Sequence, residues 1–168
     1  DETSGNLTEF DVGDGADGAI TIDSNTNINT DNKISGRACA DGGDAVNYSV
    51  TTLEEAGQSS ITLSSTPSSG CLAAGDEVLI INVQGTPANY SSAGRWEIQT
   101  VSGVNGSTLN LNSSLTNTYD GTNYKIMVQR VPNYTDVTVN SGQTLTCSAW
   151  NGTTGGVLFF KASGSVTG

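Results

Sequence analysis

A chain of 168 residues, 35% hydrophobic and 14% charged, suits one domain or one and a half with a core of its own. Its six Lys and Arg, its lack of His and its net charge of -11 exclude nucleic acid as a partner. No apolar run approaches the roughly 18–20 residues of a membrane span, so no membrane insertion is expected.

Gly, Ser, Thr and Asn stand where long charged helix formers would be, a composition for strands and turns. The opening "DETSGN" has no signal-peptide character, as expected of a secreted chain after cleavage. Eight acids fall between Asp1 and Asp31, ahead of the first basic residue, Lys33. Within that stretch "DVGDGADG" spaces Asp11, Asp14 and Asp17 three apart among glycines. Ca²⁺ takes about six to eight oxygen ligands, often from such loops, which makes these three a candidate calcium site. No EF-hand spacing is present, and a Gly-Asp turn ahead of the first strand is the competing reading. Asp41 and Asp44 in "ADGGDA" would complete the site or form a second turn.

The phrase "AITIDSNTNINT", Ala19 to Thr30, follows, and "DVTVNSGQTLTC", Asp136 to Cys147, repeats its pattern near the other end. Each reads as strand, tight turn, strand, as does "GGVLFFKASGSVTG"; such units form hairpins or rungs of a β-solenoid. Ile20, Ile22 and Ile28 must be buried, in the chain's own sheet or in a neighbour's. With no Pro or basic residue to blunt this strand, it is a candidate assembly strand.

Cys39 in "GRACADGG" and Cys71 in "SSGCLAAGDE" lie in Gly-rich turns beside strands and are expected to form a disulfide worth about 3–4 kcal/mol, which implies an oxidising compartment. Cys147 is left over as a buried free thiol on a strand. With no CxxC pair and no His, zinc is excluded. "TTLEEAG", Thr51 to Gly57, is the one short helix the periodicity offers. Strands are expected at "NYSVTTL" (Tyr48, Val50), "SSITLSS" (Ile61, Leu63) and "RWEIQTVSGV" (Trp96, Ile98, Val101). Two more are expected at "STLNLNSSL" (Leu109, Leu111) and "YKIMVQRV" (Ile126, Val128), the last ended by Pro132. "EVLIINV", Glu77 to Val83, is near-continuously apolar, as in a central strand covered on both faces. Asn105-Gly106 marks a hairpin. The longest irregular piece is "QGTPANYSSAG", Gln84 to Gly94, where binding is to be sought.

These phrases resemble the amino-terminal region of large, Gly-rich secreted proteins of bacterial cell surfaces. The residues that carry the likeness are "GDGADGAITI", "GCLAAGDEVLIINVQG", "RWEIQTVSGVNGSTLNL", "RVPNYTDVTVNSGQTLT" and "WNGTTGGVLFFKASGSVT". Gly75-Asp76 with "VLI", Trp96 and "VNGSTLNL" is also similar to small barrels of phage tail and surface proteins. The resemblance implies a small β-barrel followed by solenoid-like rungs and an adhesin-like surface role, and it brings no catalytic residues. Such proteins usually run on beyond the point corresponding to Gly168, so this chain is expected to be a fragment or a short mature subunit.

Catalysis is not expected. Without His the usual Ser and Cys triads are out. A glycosidase pair would have to come from Asp76, Glu77 and Glu97, but Gly75-Asp76 reads as a turn and Glu97, alternating with Trp96, as solvent-facing. Sugar rings stack on exposed aromatics, so Tyr90, Trp96 and Trp150 are candidate carbohydrate contacts; the competing reading makes both tryptophans core anchors. Asn-x-Ser/Thr sequons at Asn6, Asn47, Asn89, Asn105, Asn112, Asn133 and Asn151 are candidate glycosylation sites.

The expected fold is all-β. A small antiparallel barrel or sandwich spans 46–131, after an acidic segment and strand at 1–45 and before strand repeats at 132–168 that pack with the N-terminal strand of the same or a neighbouring subunit. The expected function is that of an extracellular structural subunit of a filament or pilus-like surface assembly, a homopolymer joined by strand augmentation. The alternative is a monomeric carbohydrate-binding or adhesive module.

Overall fold

The computed structural model describes residues 11–168, and every regular element among them is a β-strand. Six strands form one antiparallel sheet in the order β3 (Asn47–Val50), β10 (Lys125–Val131), β6 (Glu77–Gln84), β7 (Trp96–Asn105), β8 (Thr108–Leu111) and β5 (Ser60–Thr62). The sheet curls into a half-barrel. Beyond β5 the chain returns to β3, where Ser64 N donates to Ser49 O at 2.8 Å. The alternating residues fill the concave side: Tyr48, Val50, Ile61, Leu63, Val101, Leu109, Leu111, Ile126 and Val128 are all buried. β6 is apolar on both parities because both its faces are covered. Val78 and Ile80 point into the barrel, while Leu79, 3% exposed, belongs to the other face.

Three local expectations change. The stretch Thr51 to Gly57 is not helical: Leu53–Glu54 form β4, paired antiparallel with β9 (Tyr119–Asp120). Glu54 is buried and accepts from Thr52 Oγ1 at 2.7 Å and Thr62 N at 3.0 Å, contacts that tie it to β5 and override its helix propensity. The β7–β8 hairpin is where Asn105-Gly106 places it, but Asn105 pairs with Thr108, so the turn residues are Gly106 and Ser107. Gly106 has φ +59° and Asn105 stays in the strand, the pattern of a type II′ turn with Gly first. On β7, Trp96 and Ile98 lie on the outer face, and Glu97, Gln99 and Val101 on the inner one.

The flanks form parallel pairs, the signature of stacked rungs rather than hairpins. β1 (Gly18–Ile22) runs parallel to β11 (Asn133–Val139), with Ile20 beside Val137 and Ile22 beside Val139. β13 (Lys161–Ala162) and β14 (Val166–Thr167) pair in parallel with β11 as well. β2 (Thr26–Asn27) runs parallel to β12 (Leu145–Thr146). The repeated phrase is therefore one rung laid on another within a single chain. Ile22 and Thr26 are four positions apart, and their partners Val139 and Leu145 are six apart (26 − 22 against 145 − 139). The later turn is two residues longer, an even insertion that leaves every side chain on its proper face.

A second core lies between the rungs, built from Ile20, Ile22, Ile28, Ile34, Ala45, Tyr134 and Val137. The isoleucines singled out as an assembly strand are 5%, 0% and 1% exposed within their own chain, which corrects that expectation: their apolar surface is already spent on the chain's own core. The Cys39–Cys71 disulfide, S–S 2.04 Å, joins the stretch before β3 to the turn before β6, and Cys147 is free and packs half-buried against the rung core.

Candidate functional site

The rungs and the half-barrel meet across a charged junction. Arg130, at the end of β10 and 3% exposed, donates from Nη2 to both oxygens of Asp17 (2.6 and 2.9 Å). It also donates from Nε to Asp76 Oδ1 at 3.0 Å and from Nη1 to Asp44 O at 3.2 Å. Burial alone would lower the pKa of Arg130, and its hydrogen bonds and charge pairing with Asp17 and Asp76 outweigh that and raise it. Asp76 also receives a two-point contact from Arg37 (3.0 and 2.6 Å) and the amide of Ala73. Lys161 pairs with Glu77 at 2.8 Å and with Asp11. Asn133 closes the network, accepting nothing from these acids but donating to them, N to Asp17 at 2.8 Å and Nδ2 to Glu77 at 2.9 Å. A cavity of about 420 Å³ sits here, lined by Asp14, Asp17, Arg37, Asp76, Glu77 and Arg130 among others.

The structure does not bring Asp11, Asp14 and Asp17 onto one point. Asp11 reaches Lys161, Asp17 holds Arg130, and Asp14 caps its own turn through Ala16 N at 2.9 Å. Among the described residues no group of three Asp, Glu, Cys or His side chains is arranged to hold a metal ion. Asp41 and Asp44 are also committed. Asp41 accepts from Ser68 and from Tyr48 Oη at 2.8 Å. Asp44 accepts from the amides of Lys33 and Ile34 and from Tyr134 Oη at 2.8 Å.

Of the three carboxylates weighed for glycoside chemistry, Asp76 and Glu77 line the junction cavity and Glu97 does not. Asp76 and Glu77 belong to the ion-paired junction. Glu97 does not face bulk solvent as its alternation with Trp96 suggested: it clamps the loop before β9, accepting from Thr116 N at 2.9 Å, Asn117 N at 3.1 Å and Gln99 Nε2 at 3.0 Å. Burial would raise the Glu97 pKa, but these hydrogen bonds prevail and hold it below the ordinary carboxylate range.

The aromatics give the other surface. Tyr90, Trp96 and Trp150 are 72%, 55% and 37% exposed, so neither tryptophan is a core anchor. Trp96 lies on the outer face of the sheet opposite Ile81. Tyr90 stands in the loop between β6 and β7, whose base is fastened by Gly94 N to Asn82 O at 2.8 Å and whose tip is fastened by Asn89 Nδ2 to Tyr124 Oη at 2.7 Å. Trp150 stands in the loop after β12, closed by Gly156 N to Ser148 O at 2.7 Å. Gly155 in that loop has φ +92° and its amide reaches Met127 Sδ, where a side chain would collide with the carbonyl of Ala149. Beside the Trp150 loop a polar groove of about 490 Å³ runs along β3, lined by Asn47, Ser49, Ser65, Asn151 and Thr153. Sequence reasoning singled out the aromatics but not the groove, because its walls come from segments a hundred residues apart.

Of the sequon asparagines, Asn89, Asn105, Asn112 and Asn151 are exposed and Asn47 is half-buried. Asn133 is 7% exposed, with its amide on Glu77, which removes it as a glycan acceptor. Asn6 lies outside the described residues.

No protein-family model matches the chain, and no curated protein matches it. Three phage tailspike structures are similar in part. The tailspike gp49 of Pseudomonas phage LKA1 is 23% identical over 56% of this chain, with a TM-score of 0.40. The tailspike gp61 of Pseudomonas phage phi297 is 18% identical over 78%, with a TM-score of 0.41. The Gp54 tailspike of Acinetobacter baumannii bacteriophage AP22, solved in complex with A. baumannii capsular saccharide, is 13% identical over 64%, with a TM-score of 0.39. The matched parts are 17–21% of the length of those proteins.

Proposed function

We propose that this chain is a carbohydrate-binding module of an extracellular, surface-facing protein, working as a monomeric unit. The observation that carries the reading is the exposure of Tyr90, Trp96 and Trp150. A chain that places both of its tryptophans outside its two cores has left their large apolar faces free for ring stacking. The loops that present Tyr90 and Trp150 are fixed by hydrogen bonds, so little ordering cost opposes binding. The Cys39–Cys71 disulfide supports an oxidising, extracellular setting. The filament reading loses its motive, because the strand it requires is occupied inside the chain's own sheet.

The test is retention of the purified chain on a panel of immobilised neutral and acidic glycans, with its size followed by sedimentation velocity. Binding by a species of one chain's mass is expected. Failure to bind any glycan, or growth into long polymers with concentration, would overturn the proposal.

A further inference from the structure

The exposed aromatics differ in what lies beside them. Trp96 stands on the outer sheet face beside apolar Ile81 and Ile98, in a cross-strand row that runs through Ile81 and Met127 to Ser49. The sequence neighbours of Tyr90 and Trp150, Asn89 and Asn151, mark the two ends of a polar trough. The groove along β3 shares Ser49 and Thr153 with a smaller hollow that continues to Tyr124 and Lys125. Tyr124 is the residue whose hydroxyl accepts from Asn89, next to Tyr90. At the other end the groove is walled by Asn151, next to Trp150. We infer that this trough, from Tyr124 past Ser49 and Thr153 to Asn151, is the binding site for an uncharged oligosaccharide chain, with Tyr90 and Trp150 as the rings that flank it. The inference rests on the carbohydrate reading above and names its site and ligand class.

Three features argue for that ligand. First, the chain carries 17 Asp and Glu, yet no carboxylate lines either hollow, and Lys125 is the one charged residue there. A site for cations would be acidic, and an acidic polymer would meet the long-range repulsion of a net charge of -11. Second, the lining consists of hydroxyls and amides, which both donate and accept as sugar hydroxyls do. Among the described residues the side chains of Asn47, Ser65 and Thr153 make no protein hydrogen bond, so they are free to pair with a ligand. Third, the trough is open along its length, with a volume of about 490 Å³ in its larger part. That lies within the roughly 300–1,000 Å³ of ligand clefts, and an open trough admits an internal stretch of a polymer as well as its end.

The experiment uses the full chain and its Tyr90→Ala, Trp150→Ala, Ser65→Trp and Trp96→Ala variants. Each is checked for native fold by circular dichroism. Affinities are measured by calorimetry for maltohexaose, laminarihexaose, chitohexaose and a hyaluronan hexasaccharide. The expected result is binding of at least one neutral hexasaccharide and weaker or no binding of hyaluronan. Loss of either stacking ring at the trough is expected to weaken affinity about five- to tenfold. Ser65→Trp, which fills an exposed wall without touching a core, should abolish binding. If the parent chain binds but only Trp96→Ala weakens it, or if hyaluronan binds best, the trough assignment is wrong while the carbohydrate reading survives. If the parent chain binds none of the four, both fall.

Discussion

Replacing Arg130 by Met tests the account of how rungs and half-barrel are joined. The guanidinium side chain is 4% exposed and satisfies the buried carboxylates of Asp17 and Asp76, whose side chains are 9% and 8% exposed. After the substitution Asp76 keeps both nitrogens of Arg37, while Asp17 keeps only the Asn133 amide. One buried carboxylate is thus left without a cation. Breaking a buried pair on one side costs about 3–5 kcal/mol, and the surviving contacts of Asp76 point to the lower end, about 3 kcal/mol. For a chain of this size each kcal/mol moves Tm by about 2–4 °C, so a fall of about 6–12 °C is expected. Urea unfolding followed by far-ultraviolet circular dichroism and tryptophan fluorescence measures it. Adding Asp17→Asn to Arg130→Met should recover about half of the loss, because the orphaned charge is removed. A loss below about 1 kcal/mol, or no recovery in the double variant, would refute the claim that the junction depends on this ion network.

The other predictions concern the second core, the disulfide and pH. Ile22→Ala should destabilise the monomer by about 2–5 kcal/mol, as truncation in a filled core does; a monomer of unchanged stability would return β1 to an assembly role. Titration of the denatured, unreduced protein should find one thiol, that of Cys147, and reduction should cost about 3–4 kcal/mol for a bridge closing 32 residues of sequence. Three thiols without reductant would remove the bridge. The pKa of Glu97 is held down chiefly by the backbone amides of Thr116 and Asn117 and by Gln99, against the opposing effect of burial, and that of Asp41 by Ser68 and Tyr48. A depressed carboxylate stabilises the fold above its unfolded pKa and loses that contribution as pH falls through its folded one. With no His present, Tm should be flat between about pH 5.5 and 7.5 and fall below about pH 4, less steeply in Glu97→Gln. A transition near neutrality would contradict this.

The barrel was legible because its strands alternate cleanly, and β6 announced its central place by being apolar on both parities. The rungs were legible as a repeat, but hairpin and parallel stacking share one local pattern, and only contacts between Ile20 and Val137, far apart in sequence, separate them. β7 misled because it carries apolar residues on both parities. Trp96 and Ile98 looked inward by size, while Val101, packed with Leu109, fixes the inner face and turns Glu97 toward the loop before β9. The junction was invisible: Asp76 read as a turn residue, and the Arg130–Asp17 pair spans 113 positions. The aromatic candidates could be named from residue type alone, whereas their exposure depends on which strand faces the rungs cover.

The most direct test of the central claim is an amide NMR titration of the full chain with the neutral hexasaccharide that binds best. The account predicts saturable shifts confined to Ser49, Ser65, Tyr90, Tyr124, Trp150, Thr153 and their neighbours, with line widths of a monomer throughout. Shifts centred on Trp96 and Ile81, or no shifts with any sugar at saturating concentration, would contradict it.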